Sequence, residues 1–383
     1  MPKPYDVIVV GVGAMGSAAC HHLAKRGLRV LGLERFDIPH SYGSSGGLTR
    51  IIRLAYFEDP AYVPFARRAL ELWKETEHAF GEQLYFRTGG IDCATEDNFV
   101  FKGALASCRE HDLPHKVLTA DEVNRRFPGY NIPSTHLSVY QPDGGFLAAE
   151  RAVVAHVTLA QAAGAEIHAR ERVLEWTPIA GGGVRVRTDR DTYEAGRIVL
   201  SAGPWMGELL PSLAKVAVPE RQVLGWFQPD DPKHFRPDSF PVLILIVERR
   251  FYYAVPIWGV PGLKIGLYHH LGERGPADSL SRDVTPADEQ PLRECAERYF
   301  KGAAGPTMAL KTCIFTNTPD EHFIIDTLPD HPEVIVASPC SGHGFKFATV
   351  IGEILAELAV TGATKSDLSP FRLRRFAEAT TAR

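Results

Sequence analysis

The chain has 383 residues, of which 45% are apolar and 23% are charged, and its formal net charge is −4. This length exceeds what a single hydrophobic core usually serves, so two domains are expected. The small charge gives no electrostatic basis for binding nucleic acid or an anionic membrane, and no apolar run reaches the roughly 18 residues of a membrane span. The six cysteines form no CxxC pair, which favours reduced thiols and a cytoplasmic location.

The first elements of the chain predict a βαβ unit. Residues 5–10 (YDVIVV) are mostly β-branched, a GVGAMG turn and a helical pattern follow, and residues 30–33 predict the next strand, which ends at Glu34. The glycines of the turn are Gly11, Gly13 and Gly16. Such glycines let the backbone approach a pyrophosphate, and an acid about 20 residues further on suits a ribose hydroxyl. The unit therefore predicts a dinucleotide site, without separating NAD from FAD.

A glycine- and serine-rich loop follows this acid at residues 40–53 (HSYGSSGGLTRIIR). Glycines remove side-chain bulk, so such a loop can wrap a flat cofactor closely. The loop ends with Arg50 and Arg53, and a guanidinium can donate two parallel hydrogen bonds to a carboxylate. Surface charge on a polar loop is the alternative interpretation.

Two later αβ segments, 150–204 and 334–360, join the first unit in the predicted domain organisation. We predict an α/β fold, α+β overall, with a discontinuous Rossmann-like domain. Its ranges are 1–85, 150–215 and 321–383. A second domain, with a mixed or antiparallel sheet, is expected over 86–149 and 216–320.

Within 150–204 we predict a helix at 151–164, a strand at 166–170, a hairpin of 184–188 with 192–195, and a separate strand at 197–200.

The patterns around Cys313, Lys264 and Lys346 leave their roles open. A cysteine in an apolar strand is usually a small buried hydrophobe. A lysine in GLKIG guards an edge strand or is a partly buried functional cation. Residues 338–347 (SPCSGHGFKF) place Lys346 at the mouth of a helix beside two glycines, which suits a structural or a catalytic role. No HExxH, CxxC pair or acidic cluster predicts a metal, and no GxSxG predicts a serine hydrolase.

Five segments carry a family signal. They are GSSGGLTRIIRLAYFEDPAYVPFARRALELW (43–73), RQVLGWF (221–227), GLKIG (262–266), CIFTNTPDEHFIID (313–326) and SGHGFKF (341–347). Together they resemble the monomeric sarcosine oxidase family, which includes N-methyltryptophan and pipecolate oxidases, over residues 6 to about 371. The resemblance implies FAD and a two-domain fold like that of D-amino-acid oxidase, with a mixed sheet over the flavin.

The resemblance also implies roles for single residues. Cys313 would be bonded through sulfur to the 8-methyl carbon of the flavin, whereas Cys340 is expected to remain an unmodified thiol. Arg53 and Lys346 would hold the substrate carboxylate, and Lys264 would assist oxygen activation. The further cofactor-binding residues that it implies are Ser44, Thr49, Arg50, Gly342 and Gly344.

Two departures from the family pattern concern the substrate pocket. The family's active-site histidine is replaced by Gly46, and a tyrosine often found after the flavin cysteine is Phe315. The strand that begins with GLKIG is one residue longer than usual, so His269 or His270 is expected to replace the missing histidine. Tyr253 is predicted to line the pocket, with a packed aromatic as the alternative.

The implied reaction is the oxidation of a secondary-amine amino acid, such as sarcosine or another N-alkyl or cyclic amino acid. The imine product hydrolyses, and dioxygen is reduced to hydrogen peroxide. We expect a monomer whose partners are a small-molecule amino acid and O₂. The alternatives are an oxidase of fructosyl amino acids, for which Gly46 would make room, a flavin amine dehydrogenase with another electron acceptor, and a non-catalytic flavin-binding subunit.

Overall fold

A computed structural model describes residues 5–376. Residues 1–4 and 377–383, which the predicted dinucleotide domain includes, lie outside the described range. None of the helices between residues 5 and 376 combines the length with the hydropathy that a bilayer crossing requires. The α-helices are α1 (Ala14–Ala24), α2 (Val63–Phe80), α3 (Phe99–Glu110), α4 (Ala120–Arg126), α5 (Ala149–Ala162), α6 (Met206–Leu209), α7 (Pro286–Tyr299) and α8 (Ala348–Thr361).

Strands alternate with these helices in three sheets. They are β1 (Tyr5–Val10), β2 (Val30–Leu33), β3 (Thr49–Ile52), β4 (Tyr85–Arg87), β5 (Gly90–Thr95), β6 (Lys116–Thr119), β7 (His136–Gln141), β8 (Gly145–Ala148), β9 (Glu166–His168), β10 (Val173–Pro178), β11 (Val184–Thr188), β12 (Thr192–Leu200), β13 (Val218–Phe227), β14 (Val242–Val247), β15 (Arg250–Val255), β16 (Leu263–Leu267), β17 (Thr307–Asn317), β18 (Ile324–Leu328) and β19 (His331–Ser338).

The first sheet has a parallel centre. Its order is β10-β11-β12-β1-β2-β9, and β19 also pairs with β12 and with β18. β1 runs parallel to β2 and β12, and β12 runs parallel to β19. β2 is buried along its length, and β1 and β19 are buried towards their carboxyl ends, as expected for a sheet covered on both faces. The carboxyl ends of β1, β2, β12 and β19 therefore meet at one edge, where ligands of such sheets bind.

The prediction of two strands at 192–195 and 197–200 is wrong, because one strand, β12, covers both. Its first half pairs antiparallel with β11 and its second half parallel with β19, while β1 runs along both halves. Gly196 keeps an extended backbone, so it does not break the strand.

The second sheet is mostly antiparallel. Its order is β17-β13-β16-β15-β14-β5-β7-β6, and only β14 and β5 run parallel. Because side chains alternate between the faces of a strand, the register assigns Lys264 and Tyr253 to the same face. Cys313 joins them through the pairing of β13 with β16 and β17.

The third sheet has three strands in the order β3-β8-β4. All strands of the first sheet fall within the ranges predicted for the dinucleotide domain, and those of the second within the ranges predicted for the other domain. However, β8 lies in the predicted second domain and pairs with β3 of the first. The proposed domain boundaries stay a prediction.

Close packing of two helices holds the glycine-rich turn in place. A Cβ added to Gly352 of α8 would lie 2.6 Å from the carbonyl carbon of Ala18 in α1. Such a short separation needs glycine, because any side chain would push the two helices apart. The first turn of α1 is thereby fixed against α8, whose own start follows the SGHGFKF segment.

Candidate functional site

A single large cavity extends from the edge of the first sheet to the inner face of the second. It contains about 1720 Å³ of empty space, including its open mouth. The predicted site residues that line it are Gly11, Gly13, Glu34, Ser44, Thr49, Arg50, Arg53, Tyr253, Lys264, Cys313, Gly342, Gly344 and Lys346. Two predicted residues, Gly16 and His269, do not line it. The structure therefore brings together residues from four separate parts of the chain.

The glycine-rich turn lies at one end of this cavity. Gly11 has φ +88°, and a Cβ on Gly16 would lie 1.8 Å from the carbonyl oxygen of Gly11. Gly16 thus permits the contact between turn and helix. Glu34 accepts hydrogen bonds from the backbone N–H groups of Val12 (2.8 Å) and Phe36 (3.0 Å). Its carboxylate is held at the place where a ribose hydroxyl would reach it.

Cys313 lies in the middle of the cavity beside Arg50. The Arg50 Nη2 atom is 3.3 Å from the Cys313 sulfur, and it also donates 2.7 Å to the carbonyl oxygen of Ser44. A cation within hydrogen-bonding distance of the sulfur is typical of the surroundings in which reactive cysteines occur. The Ser44 hydroxyl is buried and has no hydrogen-bond partner among the described residues, so it is available to a ligand.

Lys264 is 2% exposed and points at the loop before β3. Its Nζ donates to the carbonyl oxygens of Gly47 (2.7 Å) and Thr49 (2.8 Å) and to the Thr49 hydroxyl (3.0 Å). Burial, followed by the charge of Arg50, holds the pKa of Lys264 well below its usual value. Because β16 lies between β13 and β15, the lysine is a buried side chain in the interior of the sheet and not an edge-strand guard.

Arg53 is 3% exposed and is paired with a carboxylate that the sequence analysis did not identify. Its Nη2 donates to both carboxylate oxygens of Glu58, at 2.6 and 2.7 Å. The guanidinium carbon lies 4.2 Å from the ring centre of Tyr56 and 3.9 Å from that of Phe57. Arg53 is therefore oriented by stacking, and another carboxylate that binds it must compete with Glu58.

Lys346 lies close to the same arginine. Its Nζ donates 2.6 Å to the carbonyl oxygen of His343 and lies 5.2 Å from the ring centre of Tyr56, on which Arg53 also stacks. Burial, with a contribution from the charge of Arg53, lowers the pKa of Lys346 to about 7. Two cations held this close together disfavour each other's charge and are well placed to share one anion.

A buried carboxyl group lies behind these two cations. Asp92, on β5, is 1% exposed, and burial raises its pKa to about 7. Its Oδ2 accepts a 3.1 Å hydrogen bond from Gln141, whereas Oδ1 has no hydrogen-bond partner among the described residues. The register places Asp92 beside Ile244, which lines the cavity.

Aromatic side chains form the remaining wall near Arg53. Successive ring centres lie 5.7 Å apart between Phe57 and Phe251, 4.9 Å between Phe251 and Tyr268, and 5.1 Å between Tyr268 and Phe315. We call these four residues the aromatic arc. The Tyr268 hydroxyl donates to the carbonyl oxygen of Ser341, so the arc presents carbon to the cavity.

The structure does not place His269 in the cavity, contrary to the expectation from sequence. Its ring bonds Glu220 (2.9 Å) through Nδ1 and Glu321 (3.0 Å) through Nε2. Burial opposes the charged ring, but these hydrogen bonds outweigh it and raise the pKa of His269 to about 9. His270 also points away, towards Asp288 at 3.1 Å. Both histidines therefore have structural partners.

Tyr268 occupies the position that we had expected a histidine to fill. Tyr268 directly follows β16, and its backbone N–H still bonds the carbonyl oxygen of Phe251 in β15 (2.8 Å), so its ring lines the cavity with Lys264, whereas His269 has φ +62°. The period of two in a strand was the signal that would have identified Tyr268.

Gly46 also lies outside the cavity lining. A Cβ on Gly46 would lie 3.1 Å from the Cα of Ser41. The replacement of a histidine by glycine therefore does not enlarge the cavity, and the expectation that Gly46 makes room for a larger substrate is wrong.

A family model of FAD dependent oxidoreductases matches residues 6–358. The chain belongs to the FAD-dependent oxidoreductase family. A monomeric sarcosine oxidase of Streptomyces avermitilis is 41% identical to this oxidoreductase, over 99% of this chain and 100% of that protein. An N-methyl-L-tryptophan oxidase of Yersinia pestis is 34% identical, over 97% and 99% of the two chains. The solved structure of NikD, an unusual amino acid oxidase essential for nikkomycin biosynthesis, is similar with a TM-score of 0.82 at 26% identity, over 96% and 97% of the two chains.

These comparisons confirm the predicted resemblance, the fold class and an enzyme of the FAD-dependent, amine-oxidising kind. The cavity of this oxidoreductase fits the cofactor. Gly11 and Gly13 open the backbone for a pyrophosphate, Glu34 suits a ribose, and the unpaired Ser44 hydroxyl and the cation Arg50 suit the polar edge of a flavin.

Proposed function

We propose that this oxidoreductase is an oxidase of amino acids whose amine is secondary and whose substituent is apolar. The observation that carries the proposal is the convergence of Arg53 and Lys346 on one end of the cavity that Cys313 and Lys264 line. A carboxylate bound there would leave the rest of the molecule against the aromatic arc. The sarcosine and N-methyl-L-tryptophan oxidases among its relatives support a secondary amine.

A bound flavin supplies the two-electron acceptor that takes a hydride equivalent from the carbon next to the amine, and dioxygen then restores it. The chain's own residues orient the substrate. Arg53 and Lys346 bind its carboxylate. Tyr253 and Ile244, which are opposite each other in the sheet, line the same cavity. For an N-methyl substrate, the overall reaction consumes dioxygen and water and yields the primary amine, formaldehyde and hydrogen peroxide.

The aromatic arc favours an apolar substituent over a sugar. Hydroxyl groups placed against Phe57, Phe251 and Phe315 would lose their hydrogen bonds to water, at a cost of about 1–3 kcal/mol each. The Tyr268 hydroxyl is already committed to Ser341. An oxidase of fructosyl amino acids is therefore disfavoured.

A peroxide screen under air tests the proposed function. We expect more peroxide from N-methyl amino acids with large apolar side chains, and from cyclic amino acids such as pipecolate, than from sarcosine or fructosyl amino acids. A preference for fructosyl substrates would contradict the proposal. Turnover with an artificial electron acceptor but no peroxide would instead identify a dehydrogenase.

We propose that Lys264 promotes the reaction with dioxygen. A fixed positive charge stabilises superoxide as it forms, and electrostatic groups of this kind contribute about 10²- to 10³-fold. Lys264→Met is expected to slow oxygen consumption by the reduced holoenzyme by about this factor while changing anaerobic reduction by the substrate much less. Stopped-flow measurements of the two half-reactions separate these effects. Equal slowing of both would exclude the role in oxygen activation.

The affinity for carboxylates is expected to fall as the pH rises through about 7. Lys346 binds an anion in its charged form and loses its proton near this pH, where Asp92 also becomes anionic and repels the ligand. A carboxylic acid without an amine, titrated between pH 5.5 and 8.5, avoids the ionisation of the substrate itself. The fall in affinity that deprotonation of Lys346 causes should remain in Asp92→Asn and disappear in Lys346→Met. A pH-independent affinity of the wild-type enzyme would contradict the assignment.

We also propose a covalent bond between Cys313 and the flavin, which the 3.3 Å contact with Arg50 supports. A monomeric state and a cytoplasmic location stay predictions from the sequence and from the resemblance.

A further inference from the structure

The loop segment Gly47–Thr49 is held by an acidic side chain that the proposed function does not yet use. Glu150, in the first turn of α5, accepts hydrogen bonds through Oε1 from the backbone N–H groups of Gly47 (2.8 Å) and Leu48 (3.0 Å). Its other oxygen, Oε2, is buried and has no hydrogen-bond partner among the described residues. A buried carboxylate with an unused oxygen is costly to maintain, which calls for an explanation.

The same segment receives all the hydrogen bonds of Lys264. An ammonium group has three donors, and those of Lys264 go to the carbonyl oxygen of Gly47, the carbonyl oxygen of Thr49 and the Thr49 hydroxyl. The position of the lysine Nζ is therefore set by this segment. Glu150 binds the N–H groups of the segment and Lys264 binds its carbonyl groups.

The backbone of the segment needs such support. Gly47 has φ +102° and Leu48 has φ +68°. The left-handed region is unfavourable for leucine and persists only where the surroundings stabilise it. The two N–H groups that Glu150 binds belong to these two residues, so its carboxylate stabilises the conformation that directs the carbonyl groups to Lys264.

The charges around Lys264 make Glu150 its main nearby counter-ion. Arg50 and Lys311 disfavour the charged lysine, whereas Glu150 and the thiol of Cys313 favour it. Of the latter two, Glu150 has the larger effect.

We propose that Glu150 is a positioning residue for Lys264, which it holds in the cavity through residues 47–49 and whose charge it compensates. This inference rests on the proposed role of Lys264 in the reaction with dioxygen. It predicts that the charge of Glu150, and not only its shape, is needed.

The test compares Glu150→Gln with the wild-type enzyme. Glutamine keeps a carbonyl oxygen for the two N–H groups but removes the charge. NMR titration of protein labelled with ¹³C at lysine Cε, with the Lys264 signal assigned by its absence in Lys264→Met, reads the protonation of Lys264 directly. We expect the titration midpoint of Lys264 to fall by about one pH unit or more in Glu150→Gln, while that of Lys346 stays in place.

Kinetics of the holoenzyme provide the second measurement. Oxygen consumption by reduced Glu150→Gln should fall by up to about tenfold at pH values above the Lys264 midpoint, since one unit in the midpoint is there one factor of ten in the charged fraction, and its pH profile should move to lower pH. Anaerobic reduction by the substrate should not change. Glu82→Gln, which removes an exposed partner of Arg151 beside Glu150, is the matched control and should behave as wild type.

The outcomes separate this inference from the proposed function. If the Lys264 midpoint is the same in Glu150→Gln and wild type, the inference is wrong. This holds also if the melting temperature of Glu150→Gln falls while the midpoint does not change. If Glu150→Gln does not fold, Glu150→Asp replaces it, because aspartate keeps the charge. The Lys264 midpoint in Glu150→Asp should then stay near that of wild type. A fall as large as the one expected for Glu150→Gln would overturn the inference. If Lys264→Met reacts normally with dioxygen, the role of Lys264 fails even though the NMR shift stands.

Discussion

Arg53→Met is expected to lower kcat/KM for amino acid substrates by about 30- to 5000-fold, because removing one member of a buried charge pair costs roughly 2–5 kcal/mol. Methionine retains an apolar stem between Tyr56 and Phe57, on which the guanidinium stacks. The loss should appear mainly in KM, since the carboxylate is bound alike before and during the reaction. Steady-state peroxide formation measures both constants.

Two controls distinguish this loss from damage to the site. Arg53→Met leaves the Glu58 carboxylate without its bidentate partner, so the double variant Arg53→Met/Glu58→Gln removes the stranded charge. It should still bind amino acids poorly. A secondary amine without a carboxylate should be oxidised equally slowly by wild type and Arg53→Met. A further loss with that amine would show that Arg53 acts on the site as a whole and not on the carboxylate.

Cys313→Ser is expected to abolish covalent attachment of the flavin. Attachment removes one hydrogen from the thiol and one from the methyl group of the flavin, and dioxygen can take up both with two electrons as hydrogen peroxide. A serine hydroxyl is a much weaker nucleophile than a cysteine sulfur. After acid denaturation, we expect yellow colour in the pellet of the wild-type protein and in the supernatant of Cys313→Ser.

Cys340 provides the matched control, since it also lines the cavity. Burial raises the pKa of its thiol to about 11, so it is a poor nucleophile at neutral pH. Cys340→Ser should retain the colour in the pellet. Yellow colour in the supernatant of the wild-type protein would exclude the covalent bond. If Cys340→Ser loses the colour of the pellet and Cys313→Ser keeps it, the flavin is attached to Cys340.

The sequence could predict the elements that depend on local patterns. β1, α1 and β2 follow from a β-branched run, a glycine turn and a helical period, which are all contained within about thirty residues. β12 was misread because the pattern of its residues changes at Gly196, whereas its pairing with β1, β11 and β19 is decided by distant parts of the chain. Tertiary pairing thus overrode a local break signal.

The candidate site shows the same division. Cys313, Lys264, Arg53 and Lys346 were found through segments that resemble a family, and each lines the cavity. Glu58 and Asp92 were missed because a carboxylate gives no sign in sequence of which cation it faces or how deeply it is buried. His269 and His270 were proposed for their residue type, whereas the residue that lines the cavity is Tyr268, directly after β16. Spacing was the better guide at this position.

The pairing of β19 with β12 has a consequence for the biosynthesis of the enzyme. β1 is made early, but β19, the fifth parallel strand, and the SGHGFKF segment are made about 320 residues later. A nascent chain can form the glycine-rich turn early, yet it lacks the part of the cavity wall that the SGHGFKF segment supplies. Stable capture of the cofactor must therefore await synthesis of this segment, and products terminated before it should accumulate as colourless apoprotein.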